Sequence, residues 1–204
     1  MRKQVNKDHY DFLKYVKKSR FMSYYYQIMY IYRIKPKKIL EIGRGNDFLK
    51  NVLKDQFNYK TLDIDQELNP DYVGSVTKIP LKDSSFDLVC CFQVLEHLSF
   101  NKFEEALKEI HRVSNRYVLI SLPRSGIDFK LEIKLPLIKN VRLKFSIPKF
   151  FKRHKFDGQH YWEIGKKNYS INKIKKIIKE YFIIEEINNP YENPYHIFFI
   201  LRKK

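Results

Sequence analysis

Apolar positions along this chain gather in short runs separated by longer stretches with a helical repeat. The short runs predict strands at 38–42, 59–64, 72–74, 86–92, 116–122, 182–187 and 195–201. The run at 86–92 is uninterrupted after Asp87, as expected for a strand covered on both faces. Between the strands, helices are expected at 48–57, at 101–113 with Asn101 as cap and Leu107, Ile110 and Val113 on the apolar face, and at 171–181 opened by Ser170. Residues 8–34 read as one or two helices with an aromatic face. Strands alternating with helices predict an α/β fold: a Rossmann-like, doubly wound, mostly parallel seven-stranded sheet with right-handed crossovers, preceded by N-terminal helices. The last two strands are joined by a loop too short for a crossover, so the last strand is expected to be antiparallel. From 123 to 168 the pattern changes. Pro123, Pro136 and Pro148 divide short apolar-basic pieces in which no helical period persists. This predicts a helical cap at 1–36 and one domain at 37–204 carrying a basic insertion at about 124–168.

One junction between elements carries candidate chemistry. The strand at 38–42 contains Glu41 and ends in Gly43-Arg44-Gly45, and a helix-like stretch follows. Two glycines there let the backbone turn sharply and approach a ligand. Asp63 tips the next strand, where open α/β sheets place a carboxylate on ribose hydroxyls. The arrangement predicts a nucleotide-like cofactor.

Charge adds a second surface. Of the net +17, residues 1–38 contribute +9, residues 123–157 +7 and residues 158–204 +4, whereas residues 39–122 carry −3. The presumed cofactor half is slightly acidic and its flanks are basic. Such flanks attract an anionic partner such as RNA, DNA, a phosphorylated metabolite or acidic lipid, or are simply a solvated basic surface. Ala106 is the only alanine, so part of the lysine excess reflects a skewed codon composition. Cys90 and Cys91 are adjacent on one strand and point to opposite faces, which fits reduced core residues in a cytoplasmic protein. The tyrosine-studded stretch 21–34 is too short to span a bilayer and lacks a cleavage signal. A helix packed over the domain is expected there, and a membrane surface is not the expected partner. The sequence leaves the oligomeric state open.

Four segments, in order, resemble the class I S-adenosylmethionine-dependent methyltransferases, and most of all the small type 11 methyltransferase-domain proteins. They are Ile-Leu-Glu-Ile-Gly-Arg-Gly at 39–45, Thr-Leu-Asp-Ile-Asp at 61–65, the run from Gly74 to Val89 with Val-Leu-Glu-His-Leu at 94–98, and the helix–strand run at 106–123. The resemblance implies S-adenosylmethionine as cofactor, with Gly43 and Gly45 under its methionine part and Glu41 holding the turn. It also implies Asp63 on the ribose diol with Ile64 beside it, Ser75 and Val76 at the adenine edge, and Phe92 and Gln93 on the inner wall. The chain departs from the pattern at Asp47, where relatives often have a third glycine, and at Ser75, where many carry an acid. An aspartate tolerates positive φ better than most residues.

Methyl transfer is an in-line displacement in which the enzyme aligns an acceptor and removes a proton where one must go. His97, after Glu96, is the candidate base. The cluster at 153–163 adds His160 as a second catalytic candidate and Tyr161 and Trp162 as substrate-wall candidates, with Trp162 alternatively a core anchor. The spacing of His154, His160 and Glu163 suits no common metal pattern, so no metal is expected. The two Asn-Pro-Tyr triplets at 189–191 and 193–195 read as turns. Three functions follow: methyl transfer to a small or anionic acceptor, methylation of RNA using the basic flanks, or cofactor or partner binding with little catalysis.

Overall fold

The structure is a computed structural model that describes residues 7–11, 15–134 and 140–204. Seven strands form one sheet: β1 (Lys38–Ile42), β2 (Asn58–Asp63), β3 (Tyr72–Val73), β4 (Phe86–Phe92), β5 (Ser114–Pro123), β8 (Phe182–Asn188) and β9 (His196–Lys203), in the order β3-β2-β1-β4-β5-β9-β8. The β1–β2, β1–β4, β2–β3 and β4–β5 pairs are parallel, and β9 runs antiparallel to both β5 and β8. The expected fold class is therefore the observed one. Strand order reverses between β1 and β4, so the C-terminal ends of β1, β2 and β4 border a crevice, the usual ligand position in open α/β sheets.

Each face of the sheet is covered. On one side lie α1 (Lys18–Ile34) and α2 (Phe48–Leu53), closing over Ile39, Leu88, Cys90 and Phe198. On the other lie α3 (Phe103–Val113) and α4 (Ile171–Tyr181), over Val89, Cys91 and Ile120. Cys90 and Cys91 thus divide between the two cores as their alternation predicts, and both are free thiols. Helix α1 buries Tyr30 and Ile31 and ties its tyrosines down through their hydroxyls: Tyr26 donates to Glu192 at 2.8 Å and Tyr30 to Glu186 at 2.8 Å. The part of the N-terminal helical expectation at 1–6 and 12–14 lies outside the described residues.

Two local expectations are corrected. Asn101 does not cap α3: it sits in a 3-10 turn (Phe100–Lys102), and its side-chain oxygen accepts from Ser99 at 2.6 Å. Ser170, by contrast, caps α4 by accepting from the Lys173 backbone N–H at 3.2 Å. The basic insertion contains regular structure that its prolines and lysines hide. β6 (Gly126–Ile133) and β7 (Val141–Pro148) form a separate two-stranded antiparallel ribbon.

Candidate active site

Leaving β1, the chain turns through Gly43 at φ 85° and Gly45 at φ 56°. A Cβ on Gly43 would lie 2.4 Å from a methyl of Val94, so glycine is required there both by conformation and by space. Asp47 also has positive φ, 58°, the conformation a glycine would adopt. Its carboxylate pairs with the Arg44 guanidinium, which also donates to the carbonyls of Leu68 and Asn69 and clamps the turn to the loop beyond β2. Asn46, rather than Asp47, supplies the side-chain acceptor at the start of α2, taking the Phe48 N–H at 3.3 Å and the Tyr24 hydroxyl at 3.1 Å.

Asp63 at the end of β2 accepts the Arg44 N–H at 2.8 Å and the Asp65 N–H at 2.9 Å, one on each oxygen. Burial pushes its pKa up while these backbone donors pull it down, and the balance is upward. Each oxygen retains acceptor capacity, as a vicinal diol needs. Gly43, Gly45, Asp63, Ile64, Val76, Phe92 and Gln93 line one cavity, so the structure brings these predicted residues together. Ser75 is not part of that lining. Its hydroxyl contacts the Thr77 hydroxyl at 2.9 Å in a local turn, and the cavity wall is made by Gly74 and Val76.

Beneath the glycine turn, a second cavity is bordered by Glu41, Gln27, Asn46, Arg20 and His196. Four buried side-chain atoms around it make no hydrogen bond among the described residues: Glu41 Oε2, Gln27 Oε1, Asn46 Nδ2 and His196 Nδ1. Burial pushes the Glu41 carboxyl up to about 8 and the His196 imidazole down to about 3. Orphaned buried polar atoms are costly, and a set of donors and acceptors gathered at one cavity suits a polar, zwitterionic group.

Beyond Gln93, a third cavity opens between the N-terminal segment and the returning chain, with His97, His160, Arg20 and Tyr195 on its walls. The backbone bond from Tyr161 N–H to the Glu96 carbonyl, 2.9 Å, brings His160 against the end of β4. The rings of His97 and His160 meet edge to face at 5.0 Å. Burial and the neighbouring His160 lower His97 to about 4, and its Nδ1 lies 3.1 Å from the Gln159 carbonyl, which fixes the proton on that nitrogen. For His160, burial is outweighed by Glu163, Glu96 and Asp157, which raise its pKa. Its Nδ1 is 3.4 Å from Glu163, to which the Tyr195 hydroxyl donates at 3.0 Å. Glu96 is fully buried, neither of its oxygens makes a hydrogen bond among the described residues, His160 Nε2 lies 4.0 Å from Oε1, and burial raises its pKa to about 7.

The substrate-wall candidates separate. Tyr161 is exposed and packs on Phe156 at 4.5 Å. Trp162 is fully buried between Phe100 and Phe103, with its indole N–H donated to the Leu98 carbonyl at 3.1 Å, so it is a core anchor and not a wall of the cavity. Ligand atoms of Glu96, His97 and His160 lie within 4.8 Å of one another, as do those of Asp157, His160 and Glu163. Asp157, His160 and Glu163 lie within seven residues of one another, whereas Glu96 and His97 meet His160 only through the fold. Tyr10 and Tyr15 at the cofactor-side cavity, Arg20 and His196 below it, and Tyr195 at the histidines also carry no recognisable motif.

Comparison with known proteins agrees with this fold. The type 11 methyltransferase-domain family model matches residues 40–117. An uncharacterized protein of Methanocaldococcus jannaschii, MJ0638, is 31% identical over 119 residues, covering 52% of this chain and 52% of the relative. The chain thus spans about half the length of that relative. Among solved structures, the PH0226 protein of Pyrococcus horikoshii matches with a TM-score of 0.64 at 14% identity, over 98% of this chain and 100% of the other. The 1,6-didemethyltoxoflavin-N1-methyltransferase of Burkholderia thailandensis, solved with 1,6-didemethyltoxoflavin and S-adenosylhomocysteine, matches with a TM-score of 0.56 at 12% identity, over 87% and 76%. The magnesium protoporphyrin IX methyltransferase of Synechocystis, solved with S-adenosylhomocysteine, gives 0.57 at 12% identity, over 91% and 84%. Residues 40–117 match the methyltransferase-domain model, and the chain shares the fold of these solved methyltransferases.

Proposed function

We propose that this chain transfers a methyl group from S-adenosylmethionine to a small acceptor carrying an anionic group. The observation that carries the reading is the continuity of three cavities across Gln93: the Gly43–Asp63 cavity, the orphaned polar atoms around Glu41, and the His97–His160 space. The residues fit the cofactor. Asp63 would hold the ribose diol, Val76 the adenine edge, and Glu41 with Asn46 and Arg20 the amino and carboxylate groups. When bound, S-adenosylmethionine supplies a methyl group made electrophilic by its sulfonium.

The chain's own contribution lies at the end of β4. Phe92 and Gln93 wall the space between cofactor and acceptor. His160, raised by its carboxylate neighbours, accepts a proton from an acceptor hydroxyl or ammonium at its ring nitrogen, and Glu163 and Glu96 stabilise the resulting imidazolium. His97 stays neutral at physiological pH and positions the acceptor through its fixed tautomer. Arg20, held 3.9 Å over the Tyr15 ring, and Lys17 give the acceptor cavity a cationic side. This favours an anionic group on the acceptor.

Methyl-labelled cofactor, incubated with panels of small carboxylated or phosphorylated alcohols and amines and separately with RNA, tests the proposal. Transfer to a small acceptor supports it. Transfer to RNA alone, with affinity falling steeply as salt rises, replaces it with RNA methylation. Cofactor binding without transfer to any acceptor replaces it with a binding role. His160→Gln is expected to lower turnover roughly 10²- to 10⁴-fold with cofactor affinity unchanged, and unchanged turnover rejects the base assignment.

A further inference from the structure

The β6–β7 ribbon is amphipathic in the reverse of the usual sense. On one face the cross-strand pairs are Ile127–Ile147, Phe129–Phe145, Leu131–Leu143 and Ile133–Val141, four consecutive apolar rungs. All eight side chains are exposed, between 37% and 65%. The opposite face is polar, and it is this face that leans on the domain. Lys144 bonds Asn189 at 2.8 Å, Arg142 bonds Glu192 at 2.7 Å, and the Lys130 and Arg142 cations lie over the Tyr191 ring. An antiparallel ribbon on a protein ordinarily buries its apolar side and wets its polar one. Here the polar side is satisfied by the protein, and the apolar side is uncovered among the described residues. A contiguous apolar surface of this extent marks an interaction site.

We propose that this face of the ribbon docks the protein onto an anionic lipid bilayer. Charge selects the occupant. The chain continues from β7 through Lys149, Phe150, Phe151, Lys152, Arg153, Lys155 and Phe156, with the three phenylalanines exposed among the cations. Aromatic side chains interleaved with lysine and arginine suit the headgroup boundary of an acidic membrane, where each basic residue adds attraction and each buried apolar group adds partition energy. A second copy of this chain is disfavoured, because it would bring another +17 molecule, with its own basic 123–157 segment, against the first. RNA would meet the cations and the phenylalanines, but the other three of the four rungs are isoleucine, leucine and valine, which offer no stacking surface. No helix among the described residues is long and apolar enough to cross a membrane, and the proposed attachment is made by the ribbon face and the segment that follows it.

Sedimentation of the full chain with vesicles tests this. Equimolar phosphatidylglycerol and phosphatidylcholine should pellet the protein, and phosphatidylcholine alone should pellet much less. The double variant Phe129→Ser/Phe145→Ser removes exposed groups only and should retain the wild-type melting temperature. It should lose at least tenfold in vesicle affinity. In a separate Phe145→Trp variant, fluorescence should shift to the blue and be quenched by brominated acyl chains. Absence of binding to anionic vesicles overturns the proposal. So does binding that the double variant leaves unchanged, which would assign it to surface charge alone, and so does a dimer in solution that the double variant dissociates.

Discussion

On the proposed reading, cofactor binding turns on Asp63 and Gly43. Replacing Asp63 with alanine removes the acceptor for the diol and leaves the Arg44 and Asp65 N–H groups without a partner. The expected result is at least a tenfold loss of S-adenosylhomocysteine affinity by calorimetry. Gly43→Ala forces a side chain into positive φ and against Val94. A loss of roughly 1–3 kcal/mol in denaturant unfolding is expected, and an unchanged midpoint would show that the turn adapts. Titration carries a signature of its own. Glu41 and Glu96 have raised values in the folded state, about 8 and about 7, so their stabilising contribution is present below the ordinary carboxylate range and is lost as pH rises through those values. His97 and His196 are depressed to about 4 and about 3, so their contribution is present above the ordinary imidazole value and is lost as pH falls toward the folded ones. Melting temperature should therefore decline from pH 6.5 toward 9, and Glu41→Gln should flatten that alkaline decline. At this scale the sequence was legible where a need is local: Gly43, Gly45 and Asp63 announce themselves because backbone turn and strand tip lie within a few residues. Asp47 was legible too, since a short polar side chain tolerates the φ of 58° it adopts. Ser75 was not, because its hydroxyl is taken by a turn that only the structure displays.

Elements show why both candidate histidines were visible in the sequence while their pairing was not. His97 follows β4 directly and could be picked out from its motif. His160 becomes its neighbour through hydrogen bonds between the segment after the ribbon and the ends of β4 and β5: Tyr161 to Glu96, and Ile164 to Pro123 at 3.0 Å. No periodicity encodes that return. Trp162 is the anchor that holds it, so Trp162→Ala should cost roughly 3–5 kcal/mol of stability and reduce turnover through loss of His160 placement, whereas Trp162→Phe should recover most of both. Equal loss of turnover in both variants would instead assign the anchoring to the indole N–H bond to the Leu98 carbonyl. The ribbon was legible as alternation at 127–133 and 141–147, yet Pro136 and the dense lysines made the stretch read as irregular. Among the predicted elements, the sequence raised membrane contact only at 21–34, where a helix packed over the domain was the expectation. The N-terminal stretch at 21–34 buries its aromatic face on the sheet, and the exposed apolar face belongs to β6 and β7.

For the whole molecule, the charge map and the cavities describe one arrangement. Residues 39–122 are slightly acidic, while Lys17 and Arg20 bring cations to one side of the histidine cavity. α1, with Arg20 and Tyr24, covers the glycine turn and should tighten when the cofactor binds. A ligand present at a hundred times its dissociation constant stabilises by about 2.7 kcal/mol, which for a chain of this size raises the melting temperature by roughly 5–10 °C. The measurement that tests the account most directly is calorimetric titration of the full chain with S-adenosylmethionine and S-adenosylhomocysteine, alongside Asp63→Ala. The account predicts binding of one molecule per chain to the wild type, weakened at least tenfold in the variant. Heat flow at the level of dilution for both ligands at millimolar concentration, with the wild type folded, would contradict it.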